Sequence, residues 1–221
     1  MQELFDVTGM ILRAEPVGEY DKRLVILTAE SGKITCFAKG ARRQGNRFMA
    51  STDPFCFGNF RLFPGRNTYS LNEARILNYF APLREDYERA CYGMFFLELS
   101  DYYTVENNDE KPMLKLLYRS VEALFHESIP KELVRCVFEL KALCVNGEYP
   151  GIPEPEAAGL SSFDPSTEYT MRLIETTDPG KLYHFTVSEK VLGELRAVCD
   201  LYRRRFIGRT LKSLEILDTI Q

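Results

Sequence analysis

The first 80 residues contain five short segments rich in apolar and β-branched side chains, separated by turn signals and without a helical repeat. The predicted strands are residues 4–15, 24–28, 34–38, 55–63 and 68–80. Glycine-containing turns at Glu30–Lys33 and Pro64–Asn67 separate two pairs of them, and Asn72–Glu73 is expected to form a bulge or a break. Five short strands joined mainly by hairpins bury both of their faces most simply in a small closed or partly open barrel.

A basic loop, Lys39–Ala50, connects the third and fourth predicted strands. Four cations and two glycines fall within nine of its residues, and no acid does. The cations are Lys39, Arg42, Arg43 and Arg47. Strands that feed a flexible basic loop commonly present charge to a phosphate backbone, so these side chains are the first candidates for phosphate contacts; the alternative is a solvated surface loop. The strand number and length match the OB barrel, whose usual ligands are oligonucleotides.

The hydrophobic period changes after Pro82, from that of strands to that of helices. The helices predicted here are residues 84–104, a second with Pro112 in its first turn and the apolar stripe Met113–Phe125, and a third from Pro130 to a C-cap at Asn146–Gly147. The chain is therefore predicted to be α+β, with a barrel domain over residues 1–80 and a helical domain over residues 81–221.

The interval after the third helix is predicted to contain a small β-hairpin. Prolines exclude regular structure over residues 150–159. Two β-prone segments, Tyr169–Ile174 and Lys181–Val187, flank a turn sequence, so the hairpin is placed near residues 168–187. Ser188 is a suitable N-cap for a further helix. The chain then ends in a basic segment that is expected to be helical with a break near Gly208.

Charge is distributed unevenly around a net value of −4. Residues 1–80 contain 11 Lys and Arg and 8 Asp and Glu, whereas residues 81–221 contain 17 and 24. The acidic total argues against a protein that coats polyanions over its whole surface, but it allows a local basic face. No apolar run approaches the roughly 18 residues that a membrane span needs, and the N-terminal segment lacks the pattern of a secretion signal, so a cytosolic protein is expected.

Motifs of catalysis and metal binding are missing from the sequence. There is no nucleophile elbow, no phosphate-cradling glycine loop and no H-E-x-x-H pattern. The six cysteines are scattered without a C-x-x-C pair, and the two histidines are not near them in sequence. We therefore expect a protein that is not an enzyme and that needs no cofactor.

Several short motifs resemble the N-terminal barrel of the RecO family of bacterial DNA repair proteins. They are Gly18–Asp21, Leu24–Thr28, Gly32–Ile34, Ala38–Arg43, Arg47–Phe48 and Pro54–Phe55. At the other end of the chain, Leu211–Leu214 looks like the C-terminal signature of that family. The resemblance follows the chain in order over nearly its whole length.

This resemblance implies an N-terminal OB barrel, a helical domain and a non-enzymatic role in the RecF pathway of DNA repair and recombination. Such proteins bind single- and double-stranded DNA and anneal complementary strands. They work with RecR to help RecA replace the single-stranded-DNA-binding protein, and they contact the acidic C-terminal tail of that protein. The resemblance also implies a bacterial, cytoplasmic protein associated with the nucleoid.

Many members of that family carry a four-cysteine zinc module between the third helix and the last helices. Here the interval runs from Cys144 to Cys199 without a cysteine between them. The prolines and the predicted hairpin occupy this space. Because the interval contains no cysteine, the four-cysteine site is absent, and we predict that this chain binds no zinc.

Arg13, Arg61 and Arg66 are second candidates for DNA contact, because they lie on predicted strands or a turn that can border the same groove. The alternative for each is an ordinary exposed cation. The same half of the chain is rich in phenylalanine, with Phe48, Phe55, Phe57, Phe60 and Phe63. Aromatic rings can stack on bases, but most of these are expected to form the barrel core.

A second basic cluster near the C-terminus consists of Arg203, Arg204, Arg205, Arg209 and Lys212. On a continuous helix the last three share a face, so the cluster is either a second DNA contact or a solvated helix face. The acidic tail of a partner would need an apolar groove rimmed by cations. The helical candidates for that rim are Lys115, Arg119, Arg135 and Lys141, each of which is otherwise plain surface.

Two other functions remain open. The barrel and the acidic helical half also suit a protein adaptor that binds no nucleic acid, which predicts no DNA binding even at low salt. An RNA-binding OB protein of translation is the third possibility, and competition between RNA and DNA of equal sequence would separate it from the first.

Overall fold

A computed structural model describes residues 4–66 and 68–219, so residues 1–3, Asn67 of the predicted turn and residues 220–221 lie outside the described part. The first half forms five strands: β1 Phe5–Val17, β2 Asp21–Thr28, β3 Gly32–Ala38, β4 Phe57–Pro64 and β5 Tyr69–Asn78. They close into a barrel in the order β1-β2-β3-β5-β4, with every pair antiparallel except β3 and β5. The five-stranded barrel expected from the sequence is confirmed.

Alternation along the strands sends one face of each strand into the barrel. In β3, Ile34, Cys36 and Ala38 are buried, and the residues between them are half-buried. Phe60 and Leu62 of β4 alternate in the same way and join the same core. The barrel interior is therefore a packed apolar core.

The barrel closes where β1 pairs with β4, with Gly9 opposite Gly58. A Cβ atom at Gly9 would lie 2.3 Å from the carbonyl oxygen of Leu27, and a Cβ atom at Gly58 would lie 2.3 Å from that of Arg75. Any side chain would collide with backbone at these two positions. Glycine is therefore required at Gly9 for the close approach of β2 to β1, and at Gly58 for that of β5 to β4.

The irregularity predicted at Asn72–Glu73 is confirmed. In the ladder between β4 and β5, Arg61 lies opposite Glu73 and Leu62 lies opposite Leu71. Asn72 is therefore the extra residue of a β-bulge.

The described residues also form six α-helices: α1 Tyr87–Tyr103, α2 Lys111–Ala123, α3 Lys131–Asn146, α4 Pro165–Thr176, α5 Glu189–Phe206 and α6 Lys212–Asp218. The C-cap predicted after the third helix is confirmed, because Gly147 has a left-handed φ of 75° and its N–H bonds the last carbonyls of α3. The predicted N-cap at Ser188 is also confirmed, since its hydroxyl accepts a hydrogen bond from the N–H of Val191 at 3.4 Å.

The chain divides into two compact units. The first contains the residues up to Asp86 together with Leu97–Leu114, and the second contains Tyr87–Phe96 and the residues from Lys115 onward. In the second unit Phe96 of α1 packs on Phe138 of α3, with ring centroids 4.4 Å apart. Helices α3, α4 and α5 pack on one another in the same unit. None of the helices in the described ranges combines the length and the apolar character required to cross a membrane.

The β-hairpin predicted near residues 168–187 is wrong. Its first segment lies in α4, and the second shows no strand in the structure. Short 3₁₀ turns at Pro155–Ala158 and Pro179–Lys181 flank α4, and the first of them also corrects the prediction that residues 150–159 are wholly irregular.

Capping and burial explain why this segment is helical. Asp164 accepts a hydrogen bond from the N–H of Ser166 at 2.9 Å, and Pro165 takes the first helical position, where its missing N–H costs nothing. The buried residues of α4 follow helical spacing and are Thr167, Thr170, Met171 and Ile174. Packing of this face therefore outweighed the β propensity of threonine and isoleucine.

Candidate nucleic-acid interface

The basic loop has a path that is set by packing. Ala41 and Phe48 point into the barrel core and are buried, while the four cations of the loop are exposed. The side-chain oxygen of Asn46 accepts the N–H of Phe48 at 2.8 Å, and the hydroxyl of Thr52 donates to the carbonyl of Phe48 at 2.7 Å. This anchoring differs from the flexible loop expected from the glycines, because Ala41 and Phe48 complete the core.

Hydrogen bonds also attach the basic loop to the turn between β1 and β2. The N–H of Gly40 donates to the carboxylate of Asp21 at 2.7 Å. The N–H of Arg42 donates to the carbonyl of Tyr20 at 2.8 Å, and its guanidinium reaches the carbonyls of Gly18 and Glu19 at 3.4 and 3.3 Å. The turn and the basic loop therefore form one continuous surface.

The cations of the basic loop make no ion pair with any acid in the described part of the chain. The Arg43 guanidinium lies 4.5 Å from the ring centre of Tyr20. The Arg47 guanidinium lies 4.7 Å from the ring centre of Phe48 and donates to the carbonyl of Asn72 at the bulge. Rings and carbonyls hold these groups without neutralising them, so they present net positive charge to an anion.

Arg13 and Arg61 differ from the basic loop because acids neutralise them. Arg61 donates to both carboxylate oxygens of Asp6 at 2.9 and 3.0 Å and also pairs with Glu73 at 3.5 Å. The hydrogen bond from Arg61 lowers the pKa of Asp6 below its usual value. Arg13 pairs with Glu15 at 3.2 Å and lies 3.9 Å from Asp101.

Arg66 and Arg75 resemble the basic loop instead. Both are exposed, and neither makes an ion pair with an acid of the described ranges. Arg66 lies in the turn between β4 and β5, one of the two turns that flank the ligand groove of OB barrels. Arg75 projects outward from β5 opposite Asn59. Arg75 could not be chosen from the sequence, because its neighbours become known only with the strand register.

The phenylalanines of the barrel divide into two groups. Phe48 and Phe60 are buried in the core, as expected, whereas Phe55 and Phe57 are half-buried and Phe63 is exposed. The aromatic side chain next to the basic loop is Tyr20, which is 39% exposed. Sequence reasoning missed Tyr20 as a site residue, because only the path of the loop brings Arg43 over its ring.

The C-terminal cluster does not share one helix face. α5 ends at Phe206 and α6 begins at Lys212, and Ile207 after α5 has extended backbone. The shared face expected for Arg205, Arg209 and Lys212 is therefore wrong, while the break expected near Gly208 is confirmed.

Arg203 is an interior group. Its Nη1 donates to both carboxylate oxygens of Glu139 at 2.9 and 2.8 Å, and Nη2 bonds Asp200. Arg204 and Arg205 are exposed and form no ion pair with an acid that the structure describes; Arg205 lies 5.3 Å from the ring centre of Phe206. Within the cluster, Arg204 and Arg205 are therefore free cations, whereas Arg203 is neutralised by two acids.

A cleft of about 470 Å³ lies between the end of α5 and α6. Arginines surround an apolar floor made by Ile207, Leu211 and Leu214, and the carboxylates of Asp200 and Glu215 also line the cleft. The arginines are Arg135, Arg196, Arg203, Arg204 and Arg209. Arg135, Arg196 and Arg203 are paired with acids, whereas Arg204 is exposed and makes no ion pair with an acid that the structure describes. The lining therefore combines apolar surface with guanidinium groups, of which Arg204 is unneutralised.

The four helical cations proposed for a peptide tail are not brought together. Lys115 pairs with Asp178 at 2.6 Å, and Arg119 pairs with Glu122 at 2.7 Å. Two others are drawn inward: the Lys141 amine donates to a backbone carbonyl at 2.7 Å, and the Arg135 side chain is 2% exposed. Of these four, Arg135 lines the cleft.

The structure shows no group of three or more His, Cys, Asp or Glu side chains that could hold a metal ion, within the residues it describes. Burial raises the pKa of the Cys36 thiol to about 12 and that of Cys144 to about 11, so both thiols are protonated at neutral pH. The absence of zinc stays a prediction that metal analysis of the purified protein tests.

Comparison with known proteins matches two consecutive segments of the chain to one family. Residues 1–80 match the family model described as Recombination protein O N terminal, and residues 84–152 match Recombination protein O C terminal. A DNA repair protein RecO from Alkaliphilus metalliredigens is 35% identical over 72% of this chain and 65% of its own length. Those from Clostridium novyi and Clostridium perfringens are 26% and 28% identical over 99% of this chain, and over 95% and 99% of their own lengths.

Proposed function

Because the chain belongs to the RecO family of DNA repair proteins, we propose that it is a recombination mediator that binds single- and double-stranded DNA and anneals complementary strands. We further propose that it acts with RecR to help RecA replace the single-stranded-DNA-binding protein. These activities place it in the bacterial cytoplasm, in association with the nucleoid. The barrel of residues 1–80 is the proposed DNA-binding domain, and residues 81–221 form the helical domain.

The cations of the basic loop carry this proposal. All four are exposed, and acids of the described chain leave them unneutralised. Rings and carbonyls hold Arg42, Arg43 and Arg47 in place. On the same barrel Arg13 and Arg61 are paired with acids, so the unneutralised cations that support this proposal are those of the basic loop together with Arg66 and Arg75. Because the net charge of the protein is negative, a polyanion is attracted to this local positive surface and not to the protein as a whole.

Annealing follows from electrostatics and needs no chemical step. Two complementary strands repel each other through their phosphates, and a cationic surface that holds each strand reduces this repulsion. Phosphate contacts position a strand without reading its sequence, so one surface serves any pair of complementary strands. We therefore propose a protein without catalytic residues and without a cofactor.

The test is fluorescence anisotropy of a labelled single strand across a salt series. Arg42→Ala/Arg43→Ala/Arg47→Ala is compared with wild type and with Arg13→Ala/Arg61→Ala, which removes acid-paired cations from the same barrel. Wild-type binding that weakens with salt, and a slope in log affinity against log salt that is flatter by roughly one for each lost contact, support the proposal. Equal slopes in wild type and the triple variant would mean that DNA contacts another surface, and Arg204 and Arg205 are then the next candidates.

Two further results separate the alternative functions. A wild-type protein that binds no DNA even at low salt would contradict the mediator and favour the adaptor. A clear preference for RNA over DNA of equal sequence would favour an RNA-binding OB protein.

We also propose the cleft between α5 and α6 as the site for the acidic tail of the single-stranded-DNA-binding protein. Arginines and leucines line this cleft together, and such a lining suits an acidic, hydrophobic peptide end. A labelled tail peptide is titrated against Arg204→Ala/Leu214→Ala. The control is Lys115→Ala/Arg119→Ala, which removes two surface cations outside the cleft. Weaker binding in the first variant alone supports the cleft, and weaker binding in the control alone points to the helices.

A further inference from the structure

Tyr20 is an exposed ring that contacts the side chains of Arg43 and Glu19, and its backbone is bonded to the basic loop. It lies in the turn between β1 and β2, and 39% of its surface is exposed. The Arg43 guanidinium covers one part of the ring at 4.5 Å from its centre. A hydrogen bond with Glu19 raises the pKa of the phenol, and the Tyr20 carbonyl accepts the N–H of Arg42. The ring is therefore positioned before any ligand arrives.

The surroundings of this ring are those of a nucleotide site. Aromatic rings and guanidinium planes both stack on unpaired bases, and a neighbouring cation pairs with the phosphate of the same strand. Tyr20 supplies the ring, Arg43 supplies a plane and a charge, and Arg42 adds a second free charge beside them.

We propose that the Tyr20–Arg43 pair is a binding site for one unpaired nucleobase. In a duplex each base face is already covered by its neighbours in the stack, so the pair can contact a base in a single strand only. The basic loop then holds the phosphates of either form of DNA, and Tyr20 adds affinity for the single strand alone. This inference rests on the proposed DNA-binding function and adds a strand preference to it.

Other exposed aromatics of the barrel lack these features. Phe63 is 45% exposed, but it follows Arg61, whose charge is balanced by acids. Tyr79 is 45% exposed and comes just after β5, at the end remote from the bulge at Asn72 where Arg47 is bonded. Tyr79 therefore provides a matched tyrosine control.

The experiment measures the affinities of Tyr20→Ala, Tyr20→Phe and Tyr79→Ala for three probes across a salt series. The probes are a labelled oligothymidylate, an abasic strand with the same number of phosphates, and a duplex of the same length. We expect Tyr20→Ala to weaken oligothymidylate binding by roughly ten-fold, with an unchanged salt slope and unchanged binding of the abasic strand and the duplex. Tyr20→Phe should retain most of the affinity, and Tyr79→Ala should match wild type.

Each other outcome overturns the inference in a recognisable way. If Tyr20→Ala weakens all three probes equally, Tyr20 acts by holding the basic loop and not by stacking. If Tyr20→Ala binds oligothymidylate as wild type does, no base contacts the pair, although the proposed DNA-binding function stands. If wild type binds none of the probes at low salt, both the inference and the proposed function fail.

Discussion

The backbone N–H of Gly40 donates a 2.7 Å hydrogen bond to the carboxylate of Asp21 and thereby joins the start of the basic loop to the start of β2. Gly40 has a left-handed φ of 66°, which turns the chain immediately after Lys39. An acidic side chain thus helps to fix the direction of a loop that carries only cations.

Asp21→Ala should loosen this connection. Removing the acceptor leaves the Gly40 N–H without its charged partner, so the free energy of unfolding should fall by about 1–2 kcal/mol and the Gly40 amide should exchange faster. Asp21→Asn keeps an acceptor oxygen and should protect the amide nearly as well as wild type. Amide hydrogen exchange followed by NMR measures both, and unchanged exchange in Asp21→Ala would show that packing alone holds the loop.

Glu139→Gln should destabilise the second unit strongly. The Glu139 side chain is 4% exposed, and its carboxylate accepts hydrogen bonds from Arg203. Nε of Arg135 lies 3.4 Å from the same carboxylate. Removing the carboxylate charge leaves Arg203 with Asp200 alone and the buried Arg135 with Glu132 alone, 3.8 Å away, and we expect the free energy of unfolding to drop by about 3–5 kcal/mol. Urea denaturation measures this drop.

The control for Glu139→Gln is Glu122→Gln, which breaks the exposed pair with Arg119. Exposed pairs contribute little, so its effect should stay below about 1 kcal/mol. Similar small losses in both variants would mean that the α3–α5 ion pairs contribute no more than surface pairs do.

Arg66→Ala and Arg61→Ala should separate free from neutralised cations on one barrel. Arg66 is free to release a counterion from a phosphate, so its loss should flatten the salt slope of DNA binding by roughly one. Arg61 is bound to Asp6 and Glu73. Its loss should therefore change the salt slope by less than about half of the change expected for Arg66→Ala. The same anisotropy series measures both, and equal slopes in the two variants would show that the ion pairs open when DNA binds.

The buried thiols should resist modification in the folded protein. Thiolate is the reactive form, and a pKa of about 12 for Cys36 leaves roughly one thiolate in ten thousand at pH 8. Because the pKa is raised, reactivity should increase only as the pH rises toward that value. Alkylation followed by mass spectrometry should label the half-buried Cys144 before Cys36, and should label all six cysteines in denaturant; rapid native labelling of Cys36 would contradict its burial.

The barrel could be predicted from the sequence because local signals agree with the tertiary structure. The alternation of Ile34, Cys36 and Ala38 matches the inward face of β3, and the polar pair Asn72–Glu73 marks the bulge. The caps at Gly147 and Ser188 were visible for the same reason. Each of these features depends on neighbours in the chain.

Features that depend on distant residues could not be predicted in this way. The neutralisation of Arg61 requires Asp6 and Glu73, which the register of three strands brings beside it. The segment around Tyr169–Ile174 has the composition of a strand. It forms a helix because helical spacing buries Thr167 and Ile174 against the rest of the fold. The position of Tyr20 beside Arg43 likewise depends on how Phe48 packs in the core.

The closure of the barrel by β1 and β4 has a consequence for folding kinetics. Thr8 and Asn59, which lie opposite each other in that ladder, are 51 residues apart in the chain. Forming such a non-local ladder loses much chain entropy before the contacts stabilise it, so closure should be a late step on the folding pathway. The basic loop lies within this 51-residue interval, so we expect a nascent chain to acquire the proposed DNA-binding surface only after β4 has left the ribosome and returned to β1.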